Sequence, residues 1–238
     1  EKAFGDWQAP ATPVPAKNLA KVDYPAQPNV YLVNRPGAQQ SVIIAGLVAP
    51  STKASNHLEI GTMNGAFGGT FTSRLNMNLR EDKHWAYGAG SFSPNAIGQR
   101  PFLMYAPVQT DKTAPSAEEM LKEARTVIGE RPLTDKEIQK VKDNDIRKMP
   151  GQYETAQSVL NALEGIVKYD RADDYVQTLK DRIEAQTDAG VNAAAKEVIH
   201  PDHLTWVIVG DFSRIEEPVR ALDLGEVHVI DADGNPVK

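Results

Sequence analysis

The chain has 238 residues, 41% of them hydrophobic and 24% charged, and a formal net charge of −6. That is the composition of a soluble globular protein, long enough for one large domain or two small ones and able to bury a core without staples. The acidic balance argues against a nucleic-acid protein. The absence of cysteine excludes disulfides and thiolate metal sites and leaves the redox compartment open.

No apolar run approaches the length of a membrane span, and residues 1–20 lack the apolar core of a signal peptide. The opening EKAFGDW reads as the tail of a helix, so a fragment with its N-terminus elsewhere is expected. Residues 8–28 carry Pro10, Pro13, Pro15, Pro25 and Pro28, a density that sustains neither a helix nor a central strand. The chain therefore divides into a helix tail and proline-rich linker over 1–28 and an α/β domain over 29–238.

Val30 to Asn34, a Pro36-Gly37 turn signal and Gln39 to Val48 predict strand, turn, strand, or one strand with a bulge. The run SVIIAGLVA is apolar enough for a central strand covered on at least one side. From His57 the spacing becomes helical: Ile60, Met63, Phe67, Phe71, Leu75 and Leu79 recur every three or four residues. Gly68-Gly69 interrupts them. One glycine is expected to supply a left-handed C-cap, and Thr70 or Thr72 to cap a second helix ending near Lys83-His84. AYGAGSF, opened by Ala86-Tyr87, and Arg100 to Thr110 read as strands.

The next third is helical. Ser116 with Glu119 and Thr134 with Glu137 read as capping boxes. Pro150-Gly151 breaks or kinks the second of these helices, which resumes with Tyr153, Ala156, Leu160, Leu163 and Val167. The long polar helices between Ser116 and Lys168 are expected to form one solvated face. A pattern at Tyr175, Leu179 and Ile183 leads to an alanine-rich helix ending near Ile199. Leu204 to Phe212 is a strand, Ser213 with Glu216 a third box, and Glu226 to Ile230 a last strand. The order predicts an α+β fold: a two-layer sandwich of a mostly antiparallel sheet with helices on one face.

No complete metal site is visible. His57-Leu58-Glu59 has one histidine only. His200-Pro201-Asp202-His203 has two, but a proline separates them and a strand follows, which suits a loop ahead of that strand. GAFGGTF lacks the Lys-Ser/Thr pair of a phosphate loop, and no G-x-S-x-G elbow or cysteine nucleophile appears. Arg80 and Tyr87 are the candidate site residues. A guanidinium offers five N–H donors and a neutral phenol one more, and the two can converge on a carbonyl that gains negative charge when a peptide bond is attacked. The alternative is an Arg80 salt bridge with Glu81 or Asp82 and a Tyr87 packed against the sheet.

Phe67-Gly68-Gly69, Thr72-Ser73-Arg74-Leu75, Leu79-Arg80-Glu81 and Tyr87-Gly88 resemble the pitrilysin/insulinase family of zinc metallopeptidases. Tyr31 to Gly46 and Trp206 to Ile215 extend the resemblance over most of the chain from about Asp6. It implies the sandwich shared by processing peptidases and LuxS-like metallopeptidases. In that family, paired α/β domains close like a clamshell over an extended peptide. Zinc is held by His-x-x-Glu-His and a downstream glutamate, a motif absent here.

The resemblance therefore implies a later, non-metal-binding domain, inactive alone, of an endopeptidase that degrades or processes peptides. It implies no cofactor in this chain, zinc in a companion domain or subunit, and a peptide substrate. The family's substrate-binding Arg/Tyr pair falls on Arg80 and Tyr87. The alternative is an inactive partner or scaffold subunit that binds peptides or other subunits without turnover. Bacterial relatives are commonly exported, which leans toward the periplasm. The sequence departs from the family at His84-Trp85, where a bulkier loop precedes the tyrosine and Trp85 either packs or shapes the substrate groove.

Overall fold

The computed structural model describes residues 2, 5–8, 10–12 and 14–237. Of EKAFGDW, where a helix tail is expected, residues 1, 3 and 4 lie outside the described residues, and residues 5–7 form a turn and irregular chain with no helix. Between residues 14 and 28 the chain forms no helix or strand, yet it is tied to the body. The Tyr24 hydroxyl donates to Val48 O at 3.0 Å, and Gln99 Nε2 donates to Val22 O at 3.0 Å.

Among the described residues six strands form one sheet: β1 (Asn29–Asn34), β2 (Gln40–Ala49), β3 (Gly90–Phe92), β4 (Arg100–Gln109), β5 (Thr205–Gly210) and β6 (Glu226–Ile230). Their order across the sheet is β3-β4-β2-β5-β1-β6. The β3-β4, β4-β2 and β2-β5 pairs are antiparallel, whereas β1 runs parallel to both β5 and β6. The Pro36-Gly37 turn does separate two strands, but they do not pair with each other. β5, from the far end of the sequence, lies between them.

Period-two alternation sets the faces. Along β2, Ser41, Ile43, Ala45, Leu47 and Ala49 point inward, and the residues between them are half-buried. Phe102, Met104, Ala106 and Val108 of β4 and Trp206 and Ile208 of β5 continue the same inner face. The helices are α1 (His57–Asn64), α2 (Arg74–Asn76), α3 (Thr113–Ile128), α4 (Asp135–Lys148), α5 (Ala156–Tyr169), α6 (Tyr175–Glu184), α7 (Asp188–Val198) and α8 (Phe212–Arg220), of which α3 packs on β2 and β4 and α7 on β2. Phe67, Phe102 and Trp206 are fully buried between the layers, each contributing about 1.5–3 kcal/mol of burial.

Of the three capping boxes read in the sequence, one forms and two do not. Thr134 and Glu137 do form a reciprocal box at α4. Ser116 forms none: a 3₁₀ turn, Thr110–Lys112, runs straight from β4 into α3, which starts at Thr113 and buries Ser116 within it. Pro115 fits there because the first helical turn needs no donor from it. At α8 the cap is Asp211, whose carboxylate accepts from Ser213 N, and Glu216 instead pairs with Arg220 at 2.9 Å. A further box, Thr155 with Ser158, opens α5 beyond a 3₁₀ turn at Pro150–Tyr153.

The helices of the middle third do not form one solvated face. α3 buries Met120, Ala124 and Val127, and α4 buries Ile138 and Val141. α5 is the reverse case. It buries only Tyr169, and its apolar stripe faces outward, with Leu160, Leu163 and Val167 exposed at 57%, 55% and 82%.

Candidate functional site

The candidate residues sit where the helical layer meets the β3 edge of the sheet. α1 continues as a π-helical turn, Gly65–Gly69, and α2 as another, Met77–Asp82. Neither Gly68 nor Gly69 takes a left-handed conformation. What Gly68 provides is close approach: its backbone crosses β3 so tightly that a β-carbon there would meet Ser91 N and lie 2.7 Å from Ser91 Cβ. The left-handed residue at the end of the second helix is His84, with φ of 56°. Its Nδ1–H donates to Arg80 O at 3.0 Å.

Thr70 and Thr72 do not cap α2. Ser73 occupies the cap position in extended conformation, and the Thr70 hydroxyl donates back to Gly65 O. Extended Thr70, at φ −121° and ψ 163°, also rotates the apolar register. Phe71 is thereby turned out of the core stripe and is 60% exposed, while Leu75 and Leu79 are buried. The strand after the helix begins at Gly90 rather than at Ala86. Ala86 makes one isolated bridge to Val108, and Tyr87 lies in the bend between.

The consequence is an exposed stack of three side chains. The Arg80 guanidinium carbon lies 4.5 Å from the Phe71 ring centroid and 5.5 Å from that of Tyr87. Tyr87 is not packed against the sheet; it is 86% exposed. Arg80 Nε also stands 3.3 Å from Glu81, a surface pair that leaves the rest of the guanidinium fork available. Beside the stack is an open hollow of about 490 Å³ lined by Gly68–Phe71, Asn76, Tyr87–Ala89, Tyr105 and Pro107.

Asn76 positions the two sides of this hollow and had no signal in the sequence. It is buried, its Nδ2 donates to Phe71 O at 2.6 Å, and its Oδ1 accepts from Ala89 N at 3.1 Å. Trp85 packs against the core rather than shaping the groove, and its backbone N–H donates to Leu79 O at 2.9 Å. Behind α2, Arg74 grips the start of α4. Nε and Nη2 reach the Glu137 carboxylate at 2.7 and 2.8 Å, and further donors meet Arg131 O and Pro132 O. Burial pushes the Glu137 carboxyl upward, but the bonds from Arg74 and Thr134 outweigh it and bring its pKa down to about 2.

Among the described residues no group of three or more His, Asp or Glu side chains could hold a metal ion. His200 precedes the 3₁₀ turn Pro201–His203 ahead of β5 and His203 ends it; the Tyr24 ring is tilted against His200 and stacked on His203. His200 Nε2 bonds Glu197 O and His203 Nδ1 bonds Pro25 O. Among the described residues no helix is long and apolar enough to cross a membrane.

Residues 1–144 match a family described as the peptidase M16 inactive domain. No curated protein matches the sequence. Among solved structures, a peptidase M16 inactive domain from Pseudomonas fluorescens is 18% identical with a TM-score of 0.70, covering 81% of this chain and 46% of its own. A protease from Helicobacter pylori is 16% identical with a TM-score of 0.77, covering 87% and 50%. The periplasmic protease PqqL from Escherichia coli is 15% identical with a TM-score of 0.64, covering 78% and 21%. The chain spans about half the length of the first two.

Proposed function

Since the chain belongs to the peptidase M16 (pitrilysin/insulinase) family as one of its inactive domains, we propose that it is the substrate-clamping domain of a zinc-dependent endopeptidase. In this reading Arg80 and Tyr87 hold an extended peptide, and the zinc that polarises the scissile carbonyl and activates water is held by a companion domain. The observation that carries the proposal is the Phe71–Arg80–Tyr87 stack, of which Phe71 and Tyr87 line one open hollow and Arg80 lies half-exposed against both rings. Aromatic rings on the guanidinium fix its plane while its outer N–H groups stay free to donate. The adjoining β3 is an edge strand, so an extended peptide can add to the sheet there by main-chain bonds. Export to the bacterial periplasm is part of the proposal, supported by the name of the Escherichia coli neighbour.

With the zinc-bearing companion present, Arg80→Ala and Tyr87→Phe are each expected to lower kcat/KM for a peptide by roughly 10- to 100-fold, the loss of one hydrogen bond to a group gaining charge. Both side chains are on the surface, so stability should stay within about 0.5 kcal/mol of wild type. Cleavage at the wild-type rate in both variants would remove the assigned role.

One observation favours a second reading, an inactive partner subunit or scaffold. The outward stripe Leu160, Leu163 and Val167 on α5 is apolar surface of the kind that partners cover. In that reading Leu163→Asp abolishes association with the companion in analytical ultracentrifugation, and the wild-type complex cleaves no peptide.

A further inference from the structure

A second cavity, of about 460 Å³, opens between the start of α1, the turn joining α5 to α6, and α6 itself. It shares no lining residue with the hollow beside Tyr87. At its base His57 Nδ1–H donates to Ala54 O at 3.0 Å, so the neutral ring presents Nε2 as an acceptor to the Tyr175 hydroxyl, 2.7 Å away. Burial holds His57 below its ordinary pKa, and the nearby Arg171 and Arg182 push the same way against the Ala54 bond and Glu59. The histidine thus adds no positive charge; the arginines supply it.

Both arginines lie on one aromatic shelf. The Arg171 guanidinium carbon is 4.2 Å from the Tyr175 ring centroid and 5.1 Å from that of Tyr169, and the Arg182 carbon is 5.3 Å from the Tyr175 ring. Arg171 Nε is buried with no hydrogen-bond partner among the described residues. Of the carboxylates in the lining, Asp170 is engaged by Lys53 at 3.4 Å, which leaves Glu59 alone to face two guanidinium groups. Arg171 also lines an adjoining cavity with buried Arg100, whose own bonds go to Pro50 O and Asn95 rather than to a carboxylate. Two guanidinium groups held against aromatic rings, and an excess of positive charge in the lining of an open cavity, call for a complementary anion.

We propose that this cavity binds a phosphate group, free or on a small molecule, with Arg171 and Arg182 as its clamp. A dianion balances the two guanidinium charges where a carboxylate balances one, and its oxygens meet planar forks two at a time. The site stands independently of the peptidase reading.

The test is calorimetric titration of the chain with inorganic phosphate at pH 7.5 and constant ionic strength, with acetate as the competitor. Saturable 1:1 binding is expected, weakened at least about tenfold by Arg171→Gln and by Arg182→Gln, with Arg182→Lys losing less than Arg182→Gln. Arg182 is on the surface, so its variants keep the fold. The His57 ring resonances should shift on phosphate addition in the wild type and stay still in Arg182→Gln. No saturable heat at millimolar phosphate, wild-type affinity in both Gln variants, or displacement by equimolar acetate would each overturn the assignment.

Discussion

Gly68→Ala is expected to destabilise the protein by about 3 kcal/mol, at the upper end of what overpacking costs. At this chain length that is a fall in Tm of roughly 6–12 °C. The added carbon meets the Ser91 hydroxyl, which could swing away, but also Ser91 N and Cβ, which move only with the strand. Ser91 N is in its path, and the facing constraint is reciprocal, because a β-carbon on Gly90 would stand 2.6 Å from Gly68 O. Relief requires α1's last turn and β3 to separate, and that separation opens the hollow on which Tyr87 sits. Gly61→Ala is the control: it lies on the exposed face of α1 with nothing within 4 Å, so it should be neutral or stabilising by up to about 1 kcal/mol. Thermal melts of the two variants decide the matter, and equal Tm values would show that the crossing is looser than described.

Arg74→Gln should cost about 2 kcal/mol at neutral pH, with a signature in its pH dependence. The depression of the Glu137 pKa from 4.5 to about 2 corresponds to about 3 kcal/mol. Solvent reaches about a third of the glutamate side chain and screens part of that. The folded carboxylate binds a proton less readily than the unfolded one. The stabilisation is therefore complete above pH 4.5 and drains away as pH falls toward 2. Chemical denaturation of wild type and variant across this range should show curves that differ at pH 7 and converge near pH 2. A difference independent of pH would mean that the arginine acts through its carbonyl contacts alone.

What the sequence made legible was local. Thr134 and Glu137 are three residues apart, and their box could be read without the rest of the chain. The fold class followed from the alternation of periods. Arg80 and Tyr87 stood out through residue order, and the structure sets them side by side. What stayed hidden depended on distant chain or on backbone phase. Phe71 sits four residues from Leu75, as a core residue should, but one extended residue at Thr70 turns it outward. Ser116 carries a capping pattern that Thr113 pre-empts three residues earlier. The paired glycines suggested a left-handed turn; the fold uses one for the space it leaves and gives the left-handed turn to His84. Asn76 has no signature, since its partners, Phe71 O and Ala89 N, are main-chain groups that any sequence offers.

The strand order bears on synthesis. β1 is among the first pieces of the sheet to be made, yet both of its neighbours, β5 and β6, come from residues 205–230. While the ribosome is still translating the helices, β1 has no ladder to join and the inner face of β2 has lost one flank. Closure must wait for nearly the whole domain to emerge, which makes folding slow and leaves the early strands in need of shelter. A product cut at residue 144 would keep the Arg80–Tyr87 region and still lack the two strands that hold β1 in place.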